Sequence, residues 1–496
     1  MTTLDEADRL VGAAAGAAAA WGQWAPKLRA DALSAVADAL DADTAALVTD
    51  AARETGLPEA RLTGEVKRTT VQLRMFADVL REGSYLRIVI DRGDDEFALG
   101  VRPDLRRWLV PLGPVLVFAA SNFPFAFSVA GGDTASALAA GCPVLVKAHP
   151  GHPDTSRRTA DIVRSALLHA GAPEGTFDLL VGRDAGVRVL RDPRTAAAAF
   201  TGSVAGGRAL FDIAASRPSP IPFYGELGSI NPAVVTADAV RERANLIAEG
   251  FVGSFTLGTG QFCTKPGVLL LPRGTDLPER VAALAERVAP ARMLTAAIAE
   301  RHRERNDEIA NVPGTKVLAS GVVRADPSGV PAVGPSLFHA GSVSNLREHR
   351  DVLLEENFGP SAVIAEYDAD DDLPATLGSI TGSLTFTVHT AQRPDDAERA
   401  RLAPLLEHAA RCSGRIVFNE WPTGVAVTAA QQHGGPYPAT TAVTTTSVGT
   451  AAIERFLRPV TYQNAPDDLL PPALREANPL ELPRTVNEPG DSRRWK

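Results

Sequence analysis

Residues 113–147 read GPVLVFAASNFPFAFSVAGGDTASALAAGCPVLVK, and this stretch decides the fold. After the Gly113-Pro114 break comes a short apolar run, 115–119, and a second such run, 142–146, ends at Lys147. Short runs with no polar alternation fit strands buried on both faces, as in a parallel sheet covered by helices. Between them, 123–140 reads as a helix rich in small residues. The unit repeats downstream. Thr155 is placed to cap a helix whose Ile162, Val163, Ala166 and Leu167 share one face, and Gly171 closes it. Residues 177–181 and 196–200 supply two further strands. Such alternation predicts an α/β fold with a parallel sheet and right-handed crossovers. Ligands of these sheets lie beyond the carboxyl ends of strands, where Asn122, Lys147 and Gly202 fall.

Upstream, residues 1–82 read as helices, with Ala32, Leu33, Val36, Ala39 and Leu40 at helical spacing. Residues 85–112 look extended: YLRIVI and RRWLVPL flank a turn around 91–95, a hairpin suited to subunit contacts. Residues 227–425 form a second α/β segment, and the remainder is rich in Pro and Thr, with a short helix at 451–456.

The 496 residues, 45% hydrophobic and 22% charged, allow two or three domains with substantial cores. A net charge of -9 argues against general nucleic-acid or membrane-surface binding. Cys142, Cys263 and Cys412 form an odd, sparse set without CxxC or Cys/His clusters. They therefore predict neither a disulfide framework nor a metal site, and fit a reducing cytoplasm. Asp5, Glu6 and Asp8 precede the Ala-rich N-terminal stretch, the reverse of a signal peptide's basic start, and no run is apolar enough to predict a membrane span.

Several residues can carry chemistry. Cys263 lies in Gly260-Gln261-Phe262-Cys263-Thr264, whose small residues and backbone N–H groups suit a thiolate nucleophile; a cysteine so placed also serves as a small buried hydrophobe. Glu226 stands in Gly225-Glu226-Leu227-Gly228-Ser229-Ile230-Asn231-Pro232, where desolvation would raise its pKa toward that of a general base; the alternative is a buried hydrogen-bonding link. Asn122, before Phe123-Pro124, is an oxyanion donor or a helix N-cap. Lys147 can reach a ribose or phosphate, or remain a solvated strand-end charge. Gly202 and Ser203 open a helix whose N–H groups can cradle a pyrophosphate, although the sequence there is not GxGxxG.

Taken in order, SNFP, CPVLVK, FTGS, ELGSINP, GQFCT and Glu355-Glu356-Asn357-Phe358-Gly359-Pro360 resemble the aldehyde dehydrogenase superfamily, over about residues 10–465. The resemblance implies a Rossmann-type cofactor domain (1–84 and 113–226, with part of 426–450), a catalytic domain (227–425), a β-hairpin oligomerisation element (85–112) and a C-terminal tail making subunit contacts (451–496). It implies Cys263 as the nucleophile that forms a thiohemiacetal and then a thioester, with Asn122 and the Cys263 N–H as oxyanion hole and Glu226 as the base for hydrolysis. Lys147 and Glu356 would bind the two riboses, Ser203 the pyrophosphate, and Phe358 would lie near the nicotinamide. A homodimer or homotetramer is expected.

More narrowly, the 121–156 stretch and the pieces FNEWPTGVAVT, HGGPYPATT and TTTSVGTAAIERFLRPVTYQ resemble the α-ketoglutaric semialdehyde (2,5-dioxopentanoate) dehydrogenases. Luminous-bacterial fatty-aldehyde dehydrogenase is similar across the cofactor region. Many NAD-specific relatives carry a Glu where this chain has Pro150. Without that carboxylate, NADP is the expected cofactor, with NAD possible; Arg208 is the candidate cation for the 2′-phosphate, assisted by His149 or His152. Phe125, Phe127, Trp421 and Val425 are expected to line the substrate pocket. Trp421 stands where the ketoglutarate-type relatives have Phe, and AVTAAQQ also departs from their pattern, which leaves another aldehyde open. The competing expectations are a CoA-acylating enzyme, disfavoured by the Glu226 motif, and an inactive binding oligomer, disfavoured because Asn122, Lys147, Glu226 and Cys263 are all usable residues.

Overall fold

The chain opens with helices α1 (Leu4–Gln23), α2 (Pro26–Ala42), α3 (Thr44–Thr55) and α4 (Glu59–Glu82) in the computed structural model, which describes all residues except 369, 370, 372, 381 and 496. Thr3 and Glu6 form a reciprocal capping box at the start of α1. The apolar stripe of α2 (Ala30, Leu33, Val36, Ala37, Leu40) is fully buried against α4.

Two strands, β1 (Ile88–Asp91) and β2 (Leu105–Pro111), pair antiparallel as the expected hairpin. They do not stand alone. Leu457–Gln463 joins β2 and Arg484–Asn487 joins β1, so the hairpin is the centre of a four-stranded sheet closed by the C-terminal tail.

The opening stretch then folds as β3 (Val115–Phe118), α5 (Gly132–Ala140) and β4 (Val144–Lys147). It is followed by α6 (Pro153–His169), β5 (Phe177–Leu180), α7 (Arg183–Arg191), β6 (Ala197–Thr201), α8 (Val204–Ala215) and β7 (Phe223–Glu226). The five strands form one parallel sheet in the order β5-β4-β3-β6-β7. Strand order reverses at β3 and β6, the kind of switch point at which doubly wound sheets bind ligands.

The expected helix over 123–140 is a helix only from Gly132; residues 123–131 form successive turns. Glu65 of α4 explains this, because its Oε1 accepts the N–H groups of Phe125 and Ala126 at 2.8 and 3.0 Å and replaces a helical ladder. The helix expected to be capped by Thr155 starts at Pro153, with His152 as N-cap, since proline suits a first helical position. Thr155 instead binds Glu54 through its N–H and hydroxyl.

A second sheet starts with β8 (Pro232–Val235), followed by α9 (Ala237–Thr256) and β9 (Val268–Pro272). Its seven strands run in the order Lys316–Ala319, Ser336–Ser342, Ser361–Tyr367, β9, β8, Ser383–His389, Ser413–Phe418. Only the Lys316–Ala319 edge pairs antiparallel. Glu226 ends the first sheet, Cys263 precedes β9 of the second, and the two residues meet between the sheets. Among the described residues, no helix is long and apolar enough to cross a membrane.

Candidate active site

The loop carrying Cys263 is held in one shape by its backbone. Gly258, Thr259 and Gly260 all have positive φ, 56°, 58° and 63°. At Gly260 a side chain would place Cβ 2.2 Å from the Gly359 carbonyl oxygen, so only glycine fits. Asn231 fastens the loop to the second sheet. Its Nδ2 donates to the carbonyls of Cys263 at 2.8 Å and Lys265 at 2.9 Å, while its Oδ1 accepts from the Thr385 N–H and hydroxyl. From the first sheet, Asn122 Nδ2 donates to the Gln261 carbonyl at 3.0 Å. One of the two amide hydrogens of Asn122 is thereby used beside Cys263, and one is left.

Glu226 is buried, 4% exposed. Its surroundings come from a distant segment. Leu227 N–H bonds Ala439 O at 2.8 Å and Thr441 N–H bonds Gly225 O at 3.0 Å, laying residues 439–441 along the edge of β7. That pairing carries in His433 and Ser447. His433 Nε2 lies 3.0 Å from Glu226 Oε1 and 3.5 Å from Cys263 Sγ, and the Ser447 hydroxyl donates to Glu226 Oε2. A carboxylate only accepts, so Nε2 carries the proton facing Glu226.

The electrostatics reverse one expectation. Burial raises the Glu226 pKa, but the His433 imidazole, with hydrogen bonds from His433, Ser447 and Cys263, outweighs it and leaves the carboxyl below its ordinary value. Glu226 is therefore ionised at rest. Cys263 is pushed well above the ordinary thiol range by burial and then by the negative charges of Glu226 and Glu356, so it rests as the thiol. Cys142 and Cys412 are also buried, each pushed up to about 11, and neither lies in the site. Sequence reasoning missed His433. Its signal is the HGGPYPATT piece, but nothing local reveals a partnership across 170 residues to Cys263 and 207 to Glu226. Ligand atoms of Glu226, Cys263 and His433 all lie within 4.8 Å of one another, a set that could also hold a soft divalent cation.

Beyond the strand ends lies the expected cofactor region. Gly202 and Ser203 are exposed at the start of α8, with Gly202 N–H on Glu226 O at 3.0 Å and Ser203 Oγ accepting from Gly206 N–H at 3.2 Å. The Lys147 ammonium makes no hydrogen bond or ion pair among the described residues, and burial lowers its pKa. Glu356 lies across Gly228, where an added Cβ would come 2.6 Å from Oε2; burial pushes its carboxyl up to about 7. Phe358 is half-buried against the first core. The exposed N-terminus of α8, the unpaired ammonium at the end of β4 and a carboxyl over a glycine fit a dinucleotide's phosphates and ribose hydroxyls. Arg208 is exposed and bonded to Asp212 at 2.8 Å. His149 and His152 depart from their expected assisting role. Burial pushes His149 down to about 3 and its Nδ1 accepts from Gly151 N–H, while His152 is buried and bonded to Ala120 O and Ser156. Neutral rings so engaged bring no cation to a phosphate.

The expected pocket wall is redrawn. Phe125 is 2% exposed and belongs to the main core, because Phe123 and Phe127 take the other side of the turn. Those two pack with Phe262, next to Cys263, at centroid distances of 5.2 Å for Phe123–Phe127 and Phe123–Phe262. Trp421 packs instead on His389 (4.3 Å) and Phe251 (5.3 Å) over α9. Val425 follows Gly424, whose N–H bonds the Thr264 hydroxyl at 3.2 Å, which keeps that loop beside Cys263.

The aldehyde dehydrogenase family model matches residues 1–451. Alpha-ketoglutaric semialdehyde dehydrogenase 2 of Azospirillum brasilense is 47% identical over 92% of this chain and 86% of its own. Alpha-ketoglutaric semialdehyde dehydrogenase of Acinetobacter baylyi is 41% identical over 98% and 91%. Among solved structures, PnpE in complex with nicotinamide adenine dinucleotide, a protein also solved from Pseudomonas sp. WBC-3, superposes with a TM-score of 0.76 at 22% identity over 93% of this chain and 90% of that one. The family model and the two close relatives, over nearly the whole length, place this chain in the aldehyde dehydrogenase family, as an oxidoreductase acting on aldehydes with a nicotinamide nucleotide.

Proposed function

We propose that this enzyme oxidises an acidic semialdehyde of the 2,5-dioxopentanoate type to the free acid, with Cys263 as nucleophile and NADP preferred. The observation that carries the reading is the contact chain Cys263 Sγ–His433 Nε2–Glu226 Oε1, closed by Ser447. The names of the two close relatives support the substrate class.

At rest the thiol is protonated beside an ionised acid. As the sulfur attacks the aldehyde carbon, its proton passes to the Glu226–His433 pair, and the C–S bond forms as the carbonyl oxygen gains charge. Asn122's remaining amide hydrogen and the Cys263 N–H receive that charge. Lys147, Gly202, Ser203, Glu356 and Phe358 would hold a nicotinamide nucleotide, which would supply the two-electron oxidation that converts the Cys263 adduct to an acyl thioester. Once the pair has released that first proton to solvent, Glu226 takes a proton from water, whose oxygen attacks the thioester; the C–S bond breaks, the acid leaves and Glu226 returns its proton to the Cys263 sulfur. Pro150, in place of an acidic residue, and Arg208 support NADP. Leu99 and Val101, 92% and 72% exposed between β1 and β2, support assembly as a homodimer or homotetramer, and three unpaired cysteines support a reducing cytoplasm.

The test is formation of reduced nucleotide with NADP and NAD against acidic, long-chain and aromatic aldehydes. The expected result is a rate concentrated on the acidic semialdehydes and higher with NADP. An advantage for NAD of about tenfold or more in kcat/KM overturns the cofactor reading, and a preference for long or aromatic aldehydes overturns the substrate.

A further inference from the structure

The mechanism leaves one cation at the site without a task. Arg68 lies on α4, with its guanidinium carbon 5.1 Å from the Phe127 ring centre and 5.6 Å from that of Phe123. The Phe127 ring is 6.2 Å from that of His433, whose Nε2 is 3.5 Å from Cys263 Sγ. Two rings, those of Phe127 and His433, thus separate Arg68 from the reacting sulfur. Its Nε is buried without a partner, and the guanidinium makes no hydrogen bond or ion pair among the described residues.

The neighbouring cations are engaged. Arg61, over Phe123 and Phe262, donates to Asn122 O at 2.7 Å. Lys265 donates to Ser361 O at 2.7 Å. Arg415 donates to Pro422 O and Gly424 O, which ties down the loop beside Thr264. Glu65, one turn before Arg68, spends Oε1 on two backbone N–H groups and comes within no ion-pair distance of Arg68. A desolvated guanidinium with free donors is costly to maintain unless an anion uses it. The groups coupled to its charge are Glu65, Cys263 in its thiolate form and Glu226, and the last two flank the place of the aldehyde carbon.

We infer that Arg68, at the head of the Phe123–Phe127 wall, binds the distal carboxylate of an aldehyde whose other end reacts at Cys263. The inference rests on the proposed role of Cys263 and names the residue that selects for acidic substrates. Its planar fork matches a carboxylate, and the aromatic wall strips water from the pair.

The test compares succinic semialdehyde with butanal, which has the same chain length and no acid, in wild type, Arg68→Met and Arg68→Lys. Methionine keeps an unbranched stem over the rings and removes the charge. A hydrogen bond to a charged group is worth enough that the preference for succinic semialdehyde should fall about 10- to 100-fold in Arg68→Met, through KM, with partial recovery in Arg68→Lys. An equal loss on both aldehydes, leaving the ratio unchanged, means that Arg68 only balances Glu65 and overturns the proposal. So does a wild type that prefers neither aldehyde. Calorimetry with succinate on the Cys263→Ser protein, with and without Arg68→Met, needs no turnover. Affinity should weaken by a similar factor, and equal affinities overturn the anchor. If wild type oxidises no aldehyde, the dehydrogenase reading fails, and succinate binding still decides on Arg68. If Arg68→Met does not fold, Arg68→Lys is read in both assays.

Discussion

Replacing Glu226 by Gln divides the reaction at the thioester. The change keeps the shape and an acceptor for Ser447, and removes one buried charge. The carboxylate and the sulfur lie within 4.8 Å. At that separation and an effective dielectric of about 20, two unit charges repel by roughly 3 kcal/mol, which is about a 100-fold change in an equilibrium. Glu226→Gln should therefore make the Cys263 thiol more acidic and speed its alkylation by iodoacetamide up to about 100-fold near neutral pH. Without the carboxylate to hold the proton on Nε2, His433 can carry it on Nδ1, and the freed Nε2 takes the thiol proton, so acylation proceeds. Deacylation loses its base, a loss of about 10²–10⁴ in rate, or roughly 2.7–5.5 kcal/mol of barrier. Rapid mixing of enzyme, excess aldehyde and excess nucleotide should show a burst of one reduced nucleotide per subunit, followed by a stall. A wild-type steady-state rate refutes Glu226 as the hydrolytic base. Loss of the burst together with slower alkylation refutes the division of labour, because Glu226 would then be needed to make the thiolate.

Asn122→Ala should lower kcat by about 100-fold, measured as steady-state reduction with saturating aldehyde; a change of a few-fold would reduce Asn122 to a loop tether. Asn231→Ala leaves the buried carbonyls of Cys263 and Lys265 and the Thr385 N–H without their partner, and should cost about 2–4 kcal/mol in denaturant unfolding; a midpoint equal to wild type would show that the loop is held elsewhere. In wild type, alkylation of Cys263 should keep rising with pH through the ordinary thiol value of 9.0, since a raised pKa means that the thiolate appears later; a plateau by about pH 8 contradicts the raised pKa.

The first parallel sheet and its helices were legible because their signals are local. Strands buried on both faces, glycines after helices and an unpaired Lys at a strand end can be read from runs of a few residues. Glu226, Cys263 and Asn122 were legible as motifs, and the structure brings them together. What could not be read depends on pairings distant in sequence. His433 reaches Glu226 only because residues 439–441 run along β7, and two C-terminal strands complete the 85–112 sheet. The turn at 123–131 was mistaken for helix because Glu65, a residue of α4, satisfies its backbone. The same turn sent Phe125 inward while Phe123 and Phe127 face the site, a choice that composition does not encode.

The resting charges explain how a buried cysteine can be both quiet and competent. The thiolate is the form that oxidants and alkylators attack. Burial and two nearby carboxyl groups hold Cys263 as the thiol, while His433 and Ser447 keep Glu226 ionised, so the proton acceptor is in place before the donor needs it. Nucleophilicity then depends on an event that removes the charge penalty. Addition to a carbonyl is such an event, because the negative charge moves from sulfur, beside Glu226, to an oxygen beside Asn122. An adventitious alkylator offers no such transfer and meets the full penalty. The reactivity of Cys263 is thus gated by the chemistry of its partner, through Glu226, Glu356, Asn122, His433 and Ser447, delivered from both sheets and from the segment that runs along β7.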